Sequence, residues 1–287
     1  MSASPESPDS PASPGLSIAK ALVQARASGV ARLDAQLLLA HLLQRNRAWL
    51  LAHDDAVLTP PQAVAWTALL ARRAAGEPLA YLVGECEFRG LALKVSPAVL
   101  VPRPETELLV EWALERLPSA PAATVIDLGT GSGAVALAVK NAAPGAKVTA
   151  TDASPTALAV AQANAERHAL ALTLSQGDWW SAVPGQRYGL ALSNPPYIAA
   201  GDPHLAALVH EPATALTPGG DGLDALRRLI DGAPAHLQPG AWLLLEHGHD
   251  QHEAVQALLT ACGFGQAETR RDLAGLARCT GAPWPGA

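Results

Sequence analysis

Val125-Ile126-Asp127-Leu128-Gly129-Thr130-Gly131-Ser132-Gly133-Ala134 decides how this chain is read. An apolar run with strand character enters three glycines at alternate positions, and Ala134-Val-Ala-Leu-Ala-Val-Lys140 continues in a helical pattern. Strand, glycine turn and helix in succession open an α/β unit. The glycines permit the tight turn and let a ligand approach the backbone closely. The helix start presents free N–H groups. About 20 residues further on, strand-like Lys147-Val-Thr-Ala-Thr151 ends in Asp152, a carboxylate suited to both hydroxyls of a ribose. The glycine spacing is Gly-x-Gly-x-Gly, not Gly-x-Gly-x-x-Gly, which weakens a dinucleotide reading. S-adenosylmethionine has a ribose and a carboxylate without a phosphate and would use the same features. Gly129, Thr130, Gly131, Ser132, Gly133 and Asp152 are the candidate cofactor residues. Asp127 either braces the loop through its amides or caps the turn.

Two strands later, Tyr188-Gly-Leu-Ala-Leu-Ser193 runs into Asn194-Pro195-Pro196-Tyr197. The prolines donate no backbone N–H and fix φ, so the chain must leave the sheet rigidly. Open α/β sheets place their ligands at the carboxyl ends of strands. This turn offers the Asn194 amide oxygen, the Pro195 carbonyl and the Tyr197 ring. Two acceptors beside a flat ring suit a planar NH2 group, as in a carboxamide or an exocyclic base amine. Asn194, Pro195 and Tyr197 are therefore the candidate catalytic residues, the whole turn with Pro196 is the candidate substrate site, and Asn194 is also a candidate cofactor residue, reaching the methionine end. The competing reading is a plain strand-ending turn, and a methyl-donor site upstream argues against it. After a further strand at about 171–176, Asp178-Trp179 could accept from an adenine amine and stack on its ring, or the indole could merely pack under a loop. Ser132 has no partners placed to make it a nucleophile and fills the loop. His247, His249 and His252 read as solvent-facing residues, so no metal is expected.

These motifs, in this order, resemble class I S-adenosylmethionine-dependent methyltransferases. The narrower resemblance is to the release factor glutamine methyltransferases. It rests also on Pro102-Arg103-Pro104-Glu105-Thr106-Glu107, on Asp202-Pro203-His204-Leu205 with Glu211-Pro212, and on Leu243-Leu-Leu-Glu246-His247-Gly248. It covers nearly everything from about residue 16 onward. His210 departs from the aromatic residue usual before Glu211-Pro212. The resemblance implies a Rossmann-like domain with a mostly parallel sheet, and S-adenosylmethionine as cofactor. It further implies methyl transfer to the glutamine nitrogen of a Gly-Gly-Gln loop in peptide chain release factors. Open alternatives are a ribosomal-protein glutamine, an adenine amine, a non-catalytic adenosine-binding module and, on the glycine loop alone, a nicotinamide oxidoreductase. A carboxamide nitrogen is a poor nucleophile and no strong base is placed to deprotonate it. Orientation by Asn194 and Pro195 is the expected device.

Composition fits this reading. The 287 residues are 49% hydrophobic, enough for one large or two modest domains. No apolar run approaches the roughly 18 residues of a membrane span. Cys86, Cys262 and Cys279 lack metal or disulfide spacing, so a reduced cytoplasm is expected. The net charge of −6 argues against stable nucleic-acid binding, and a monomer is expected. Residues 1–15, rich in Ser and Pro, predict a disordered tail. Residues 16–80 predict a helical bundle for substrate recognition. Its stripe is Leu33, Leu37, Leu38, Ala40 and Leu42, and Thr59 caps a helix begun by Pro60-Pro61. Residues 15–80 carry +3, either solvated helix faces or a docking surface. Residues 81–101 predict a β-hairpin linker turning at Arg89-Gly90, and residues 102–287 the methyltransferase domain. Its strands are expected at about 123–129, 147–152, 171–176, 188–193, 241–247 and 275–281, with helices between them.

Overall fold

The computed structural model describes residues 15–117 and 122–286, and the chain divides between Val83 and Gly84. All but the last residue of the predicted tail lies outside the described residues. The first unit is helical: α1 (Ile18–Ala27), α2 (Arg32–Leu43), α3 (Arg47–Ala52), α4 (Pro60–Ala74) and α5 (Leu79–Val83). Within the helical bundle expected over 16–80, helices begin and end where side chains cap backbone. Ser17 and Asn46 accept from the amides of Lys20 and Trp49, and Gln44 ends α2 in a left-handed conformation. Thr59 caps α4 with a complete capping box to Gln62. The core gathers Ile18, Leu38, Leu39, Leu50 and Trp66. Leu33 of the expected stripe instead lies outward, 50% exposed, because α2 turns Ala35, Leu38 and Leu39 inward.

Residues 81–83, read as β, are helical. Pro78 opens α5 by accepting from Tyr81 and Leu82, and Leu82 completes the helical core. The hairpin is correspondingly shorter, β1 (Glu85–Phe88) and β2 (Leu91–Lys94). It turns at Arg89-Gly90 as expected, with both residues at positive φ (51° and 79°).

The second unit contains β1 and β2 and continues with α6 (Glu107–Arg116), β3 (Thr124–Leu128), α7 (Ala134–Ala142), β4 (Lys147–Asp152), α8 (Pro155–Arg167), β5 (Thr173–Gln176), β6 (Tyr188–Ser193), α9 (Ala213–Leu216), α10 (Asp224–His236), β7 (Leu237–Glu246), α11 (His252–Ala261), β8 (Glu268–Arg271) and β9 (Ala277–Pro283). The seven-stranded sheet has order β5-β4-β3-β6-β7-β9-β8. β9 pairs antiparallel with both neighbours, and the remaining pairings are parallel. β8 was not read from sequence. Its Glu-Thr-Arg-Arg pattern is polar because it lies at the sheet edge, half in solvent. Alternate residues of the central strands serve two cores. Val125, Leu190 and Leu192 pack with Trp112 and Leu137, whereas Ile126, Leu128 and Ala191 pack with Leu226, Ile230 and Leu259. The strand order reverses between β3 and β6, so their carboxyl ends open a crevice at the switch point.

Candidate active site

The crevice is a cavity of about 570 Å³, within the usual size of small-molecule sites. It is lined by Gly129, Thr130, Gly131, Ser132, Asp152, Asp178, Trp179, Asn194 and Pro196, among others. The fold thus brings together residues spread over nearly seventy positions of sequence. Gly133 is the exception and does not line the cavity. At φ 84° it begins α7, and a Cβ there would meet Ala161 and Leu137 at 3.2 Å. Its place is close packing of α7 on α8.

The glycine loop is held by its neighbouring strand. Gly129 and Thr130 donate to the Thr151 carbonyl at 2.9 and 2.8 Å. Gly131 donates to Asp152 Oδ2 and Ser154 to Oδ1, both at 2.9 Å. Each carboxylate oxygen keeps a second lone pair for a ribose hydroxyl. Asp127 is fully buried. Its Oδ2 accepts from the Thr130 hydroxyl (2.6 Å) and the Ala136 amide (3.2 Å), so it ties the loop to the start of α7. Burial pushes this carboxyl up to about 6 against those two hydrogen bonds. Trp179 sits in a left-handed conformation with its ring against Gly129, where a Cβ would lie 3.0 Å from the indole. The two readings of Trp179 are therefore compatible, since the ring both supports the loop and walls the cavity. Asp178 forms an exposed ion pair with Arg228. Trp180, next in sequence, points the other way, donating to the Leu229 carbonyl and stacking on His236.

The turn after β6 borders two cavities. Asn194 lines the first and also a second of about 370 Å³, shared with Pro195, Tyr197, Arg103 and Glu211. Asn194 Nδ2 donates to Thr106 Oγ1 at 3.1 Å, and Oδ1 is the end of the amide left for a ligand. Glu211 is buried; it accepts from the Val101 amide at 3.0 Å and pairs with Arg103. The two motif segments at 102–107 and 211–212 are thereby joined into one wall. Gln251 donates to the Tyr197 carbonyl (3.0 Å), and the Tyr197 hydroxyl donates to Glu246 Oε1 (3.4 Å). Burial pushes the Tyr197 phenol up. Burial also raises Glu246 to about 7, opposed by the Thr106 hydroxyl and Arg278.

His247 is not solvent-facing. It is fully buried, with Nε2 2.7 Å from Thr280 Oγ1 and Nδ1 2.8 Å from the Gly248 carbonyl. A carbonyl only accepts, so Nδ1 carries the proton. Among the described residues no group of His, Cys, Asp or Glu is arranged to hold a metal ion, and no helix is long and apolar enough to cross a membrane. Thr106, Glu246 and the Arg103–Glu211 pair were not singled out as site residues by sequence reasoning. Their segments were visible as motifs, but the meeting of Thr106 with Asn194 across 88 positions, of Glu246 with Tyr197 across 49 and of Arg103 with Glu211 across 108 was not.

Residues 16–84 match the family model described as the PrmC N-terminal domain, and residues 105–223 match the methyltransferase small domain. Among solved structures, a methyltransferase from Pyrococcus furiosus superposes with TM-score 0.54 at 20% identity, covering 69% of this chain and 90% of that one. A likeness at that identity concerns the fold. Among curated proteins, the release factor glutamine methyltransferase of Bordetella pertussis is 52% identical over 88% of this chain and 95% of its own length. That of Escherichia coli is 44% identical over 88% and 92%. Full-length likeness of this degree extends through both units and through the crevice, and on it the chain belongs to the release factor glutamine methyltransferase family.

Proposed function

We propose that this protein transfers a methyl group from S-adenosylmethionine to the side-chain N5 of the glutamine in the Gly-Gly-Gln loop of peptide chain release factors. The observation that carries the reading is Asn194, which stands between two cavities with its amide nitrogen tied to Thr106. The first cavity suits the cofactor. Its left-handed glycines allow close approach, Asp152 retains lone pairs for a ribose, and Trp179 offers an aromatic wall. When bound there, S-adenosylmethionine supplies an electrophilic methyl group on a sulfonium.

The rest of the work falls to the turn. Asn194 Oδ1 and the Pro195 carbonyl accept the two N–H groups of the substrate amide, and Tyr197 packs on its plane. The nitrogen is thereby aimed at the methyl group, and positive charge developing on it meets two preorganised acceptors. Its proton becomes acidic as the new bond forms and passes to water, so no strong base is needed.

The helical unit, with a core of its own and a net charge of +3 over residues 15–80, is the surface proposed to recognise the release factor. Three cysteines without disulfides accord with a cytoplasmic place of action. The test is incubation with labelled S-adenosylmethionine and purified release factors, ribosomal proteins and DNA, with peptide mapping of the label. The expected outcome is one methyl group on the Gly-Gly-Gln glutamine. Label confined to ribosomal protein or to adenine would overturn the reading.

A further inference from the structure

We infer that Arg103 donates to the side-chain carbonyl oxygen of the substrate glutamine, and that buried Glu211 holds its guanidinium in place for this contact. The inference rests on the reaction proposed above and concerns the polar atom of the substrate amide that the Asn-Pro-Pro-Tyr turn leaves unmet.

A primary carboxamide brings two N–H donors and one carbonyl acceptor. Asn194 Oδ1 and the Pro195 carbonyl answer the donors. The carbonyl oxygen needs a donor of its own, because a buried polar atom without a partner weakens binding. The turn is poor in donors, since Pro195 and Pro196 have no N–H. Asn194 gives Nδ2 to Thr106 at 3.1 Å, and Tyr197 gives its hydroxyl to Glu246 at 3.4 Å. The second cavity is otherwise largely apolar, with Leu100, Ile198, Leu208 and Leu216 in its wall. Arg103 is the cation of that wall, its side chain 35% exposed.

The local sequence fixes Arg103. It lies between Pro102 and Pro104, in extended backbone at φ −99° and ψ 144°. Glu211, its side chain 2% exposed, accepts from the Val101 amide at 3.0 Å and from Arg103 Nη2. One carboxylate therefore holds both the segment leading to Arg103 and the guanidinium itself. A guanidinium is a planar fork with donors on more than one edge, so the arm engaged by Glu211 leaves others for the cavity. The pairing matters electrostatically as well. The methyl donor is a cation, and the substrate nitrogen gains positive charge as its new bond forms. A bare guanidinium beside them would oppose the transfer. One balanced by a buried carboxylate presents N–H groups with little net charge.

Amide chemistry says where this contact acts. Before transfer, delocalisation of the nitrogen lone pair puts negative charge on the carbonyl oxygen, and a hydrogen bond from Arg103 is at its strongest. As the lone pair turns to the methyl carbon, that charge falls and the hydrogen bond weakens. Arg103 therefore serves substrate affinity, whereas Asn194 and the Pro195 carbonyl, which meet the growing positive charge, serve the rate. Arg103 also selects for a carbonyl, since a side chain of similar shape without one gains nothing from it. Glu211 is the positioning residue behind this selection.

The experiment measures kcat and KM for methylation of a purified release factor, together with inhibition by the same release factor carrying methionine in place of the Gly-Gly-Gln glutamine. Methionine is close to glutamine in length and lacks the carbonyl. The enzymes are the wild type, Arg103→Met, Arg103→Lys, Glu211→Gln and the double variant R103M/E211Q. Arg103→Met should raise KM roughly 10- to 100-fold, the scale of one hydrogen bond to a charged group, with kcat within about threefold of wild type. Inhibition by the methionine form and calorimetric affinity for S-adenosylmethionine should be unchanged. Arg103→Lys keeps a charge for Glu211 but has no fork, and should show most of the same rise in KM. Glu211→Gln should raise KM by less, since the donor remains but is less firmly held. Were Arg103→Met to fold poorly, the double variant, which leaves no buried charge unpaired, would decide. An unchanged KM, a loss carried by kcat, or equal weakening of the methionine form would overturn the inference, the last because a merely structural residue shapes the cavity for both. A wild-type protein that methylates no release factor would instead overturn the proposed reaction.

Discussion

The glycine loop after β3 and the Asn-Pro-Pro-Tyr turn after β6 lie beside each other at the switch point, yet they are secured differently. The loop is held locally and largely by backbone. Its amides donate to Thr151 and Asp152, and Asp127 reaches only to Thr130 and Ala136. The turn is held by side chains from afar, Thr106 from 88 positions away, Glu246 from 49 and Gln251 from 54. One lesson follows for function. Where a ligand needs room and backbone amides, glycine and a nearby acid suffice. Where a substrate group must be oriented, the protein brings in a buried polar network.

The contrast is broken most severely at Asn194. Asn194→Ala should lower single-turnover methylation of release factor by roughly 10²–10³-fold, the scale of losing one preorganised partner. Calorimetric affinity for S-adenosylmethionine should change far less, because the loop side of the crevice is intact. Near-normal turnover would remove Asn194 from the reaction.

The reverse perturbation is Asp152→Ala. It should weaken S-adenosylmethionine binding by roughly 1–3 kcal/mol, through lost hydrogen bonds to a charged group. Titration should show no comparable heat with NAD in the wild type. Tight NAD binding would reassign the loop.

Asp127 tests the electrostatics of the loop. Its raised carboxyl binds a proton more firmly in the folded than in the unfolded protein. Its contribution to stability is therefore full at low pH and declines as pH rises towards and through about 6. Asp127→Asn removes this titration while its side-chain oxygen still accepts from Thr130 and Ala136. Relative to wild type, its denaturant-measured stability should improve by on the order of 1–2 kcal/mol between about pH 4 and about pH 8. A constant difference across that range would contradict the assignment. The same sign applies to Glu246, which burial raises to about 7.

The smallest effect belongs to the exposed pair Arg228–Asp178, whose side chains are 59% and 53% exposed. Arg228→Ala should change stability by less than about 1 kcal/mol. It should alter cofactor affinity by no more than about threefold, a shift within that same energy scale. A large loss would mean that Arg228 positions Asp178 for the adenine.

Much of the site was legible in the sequence because local chemistry announces it. Glycines at alternate positions before a helix, an acid at the next strand's end and a double proline after an apolar strand each carry a backbone requirement that few other residues meet. The Arg89-Gly90 turn and the Thr59 cap were readable for the same reason. Elements whose pattern reflects their surroundings were not. β8 is polar because it is an edge, Tyr81–Val83 is helical because Leu82 has a helical core to enter, and His247 is buried because Thr280 and Gly248 satisfy it.

By itself, then, the sequence determined the class of fold, the glycine loop and the turn that borders the crevice, since all three are written within short windows of chain. Only the tertiary structure decided that Gly133 packs helices and does not touch the cavity, that Asp178 is paired with Arg228, that Thr106 stands behind Asn194 and that Glu246 stands behind Tyr197. The physical reason is range. Backbone conformation is dictated by neighbouring residues, whereas burial and hydrogen-bond partners are set by strands and loops that meet only when the sheet has closed around them.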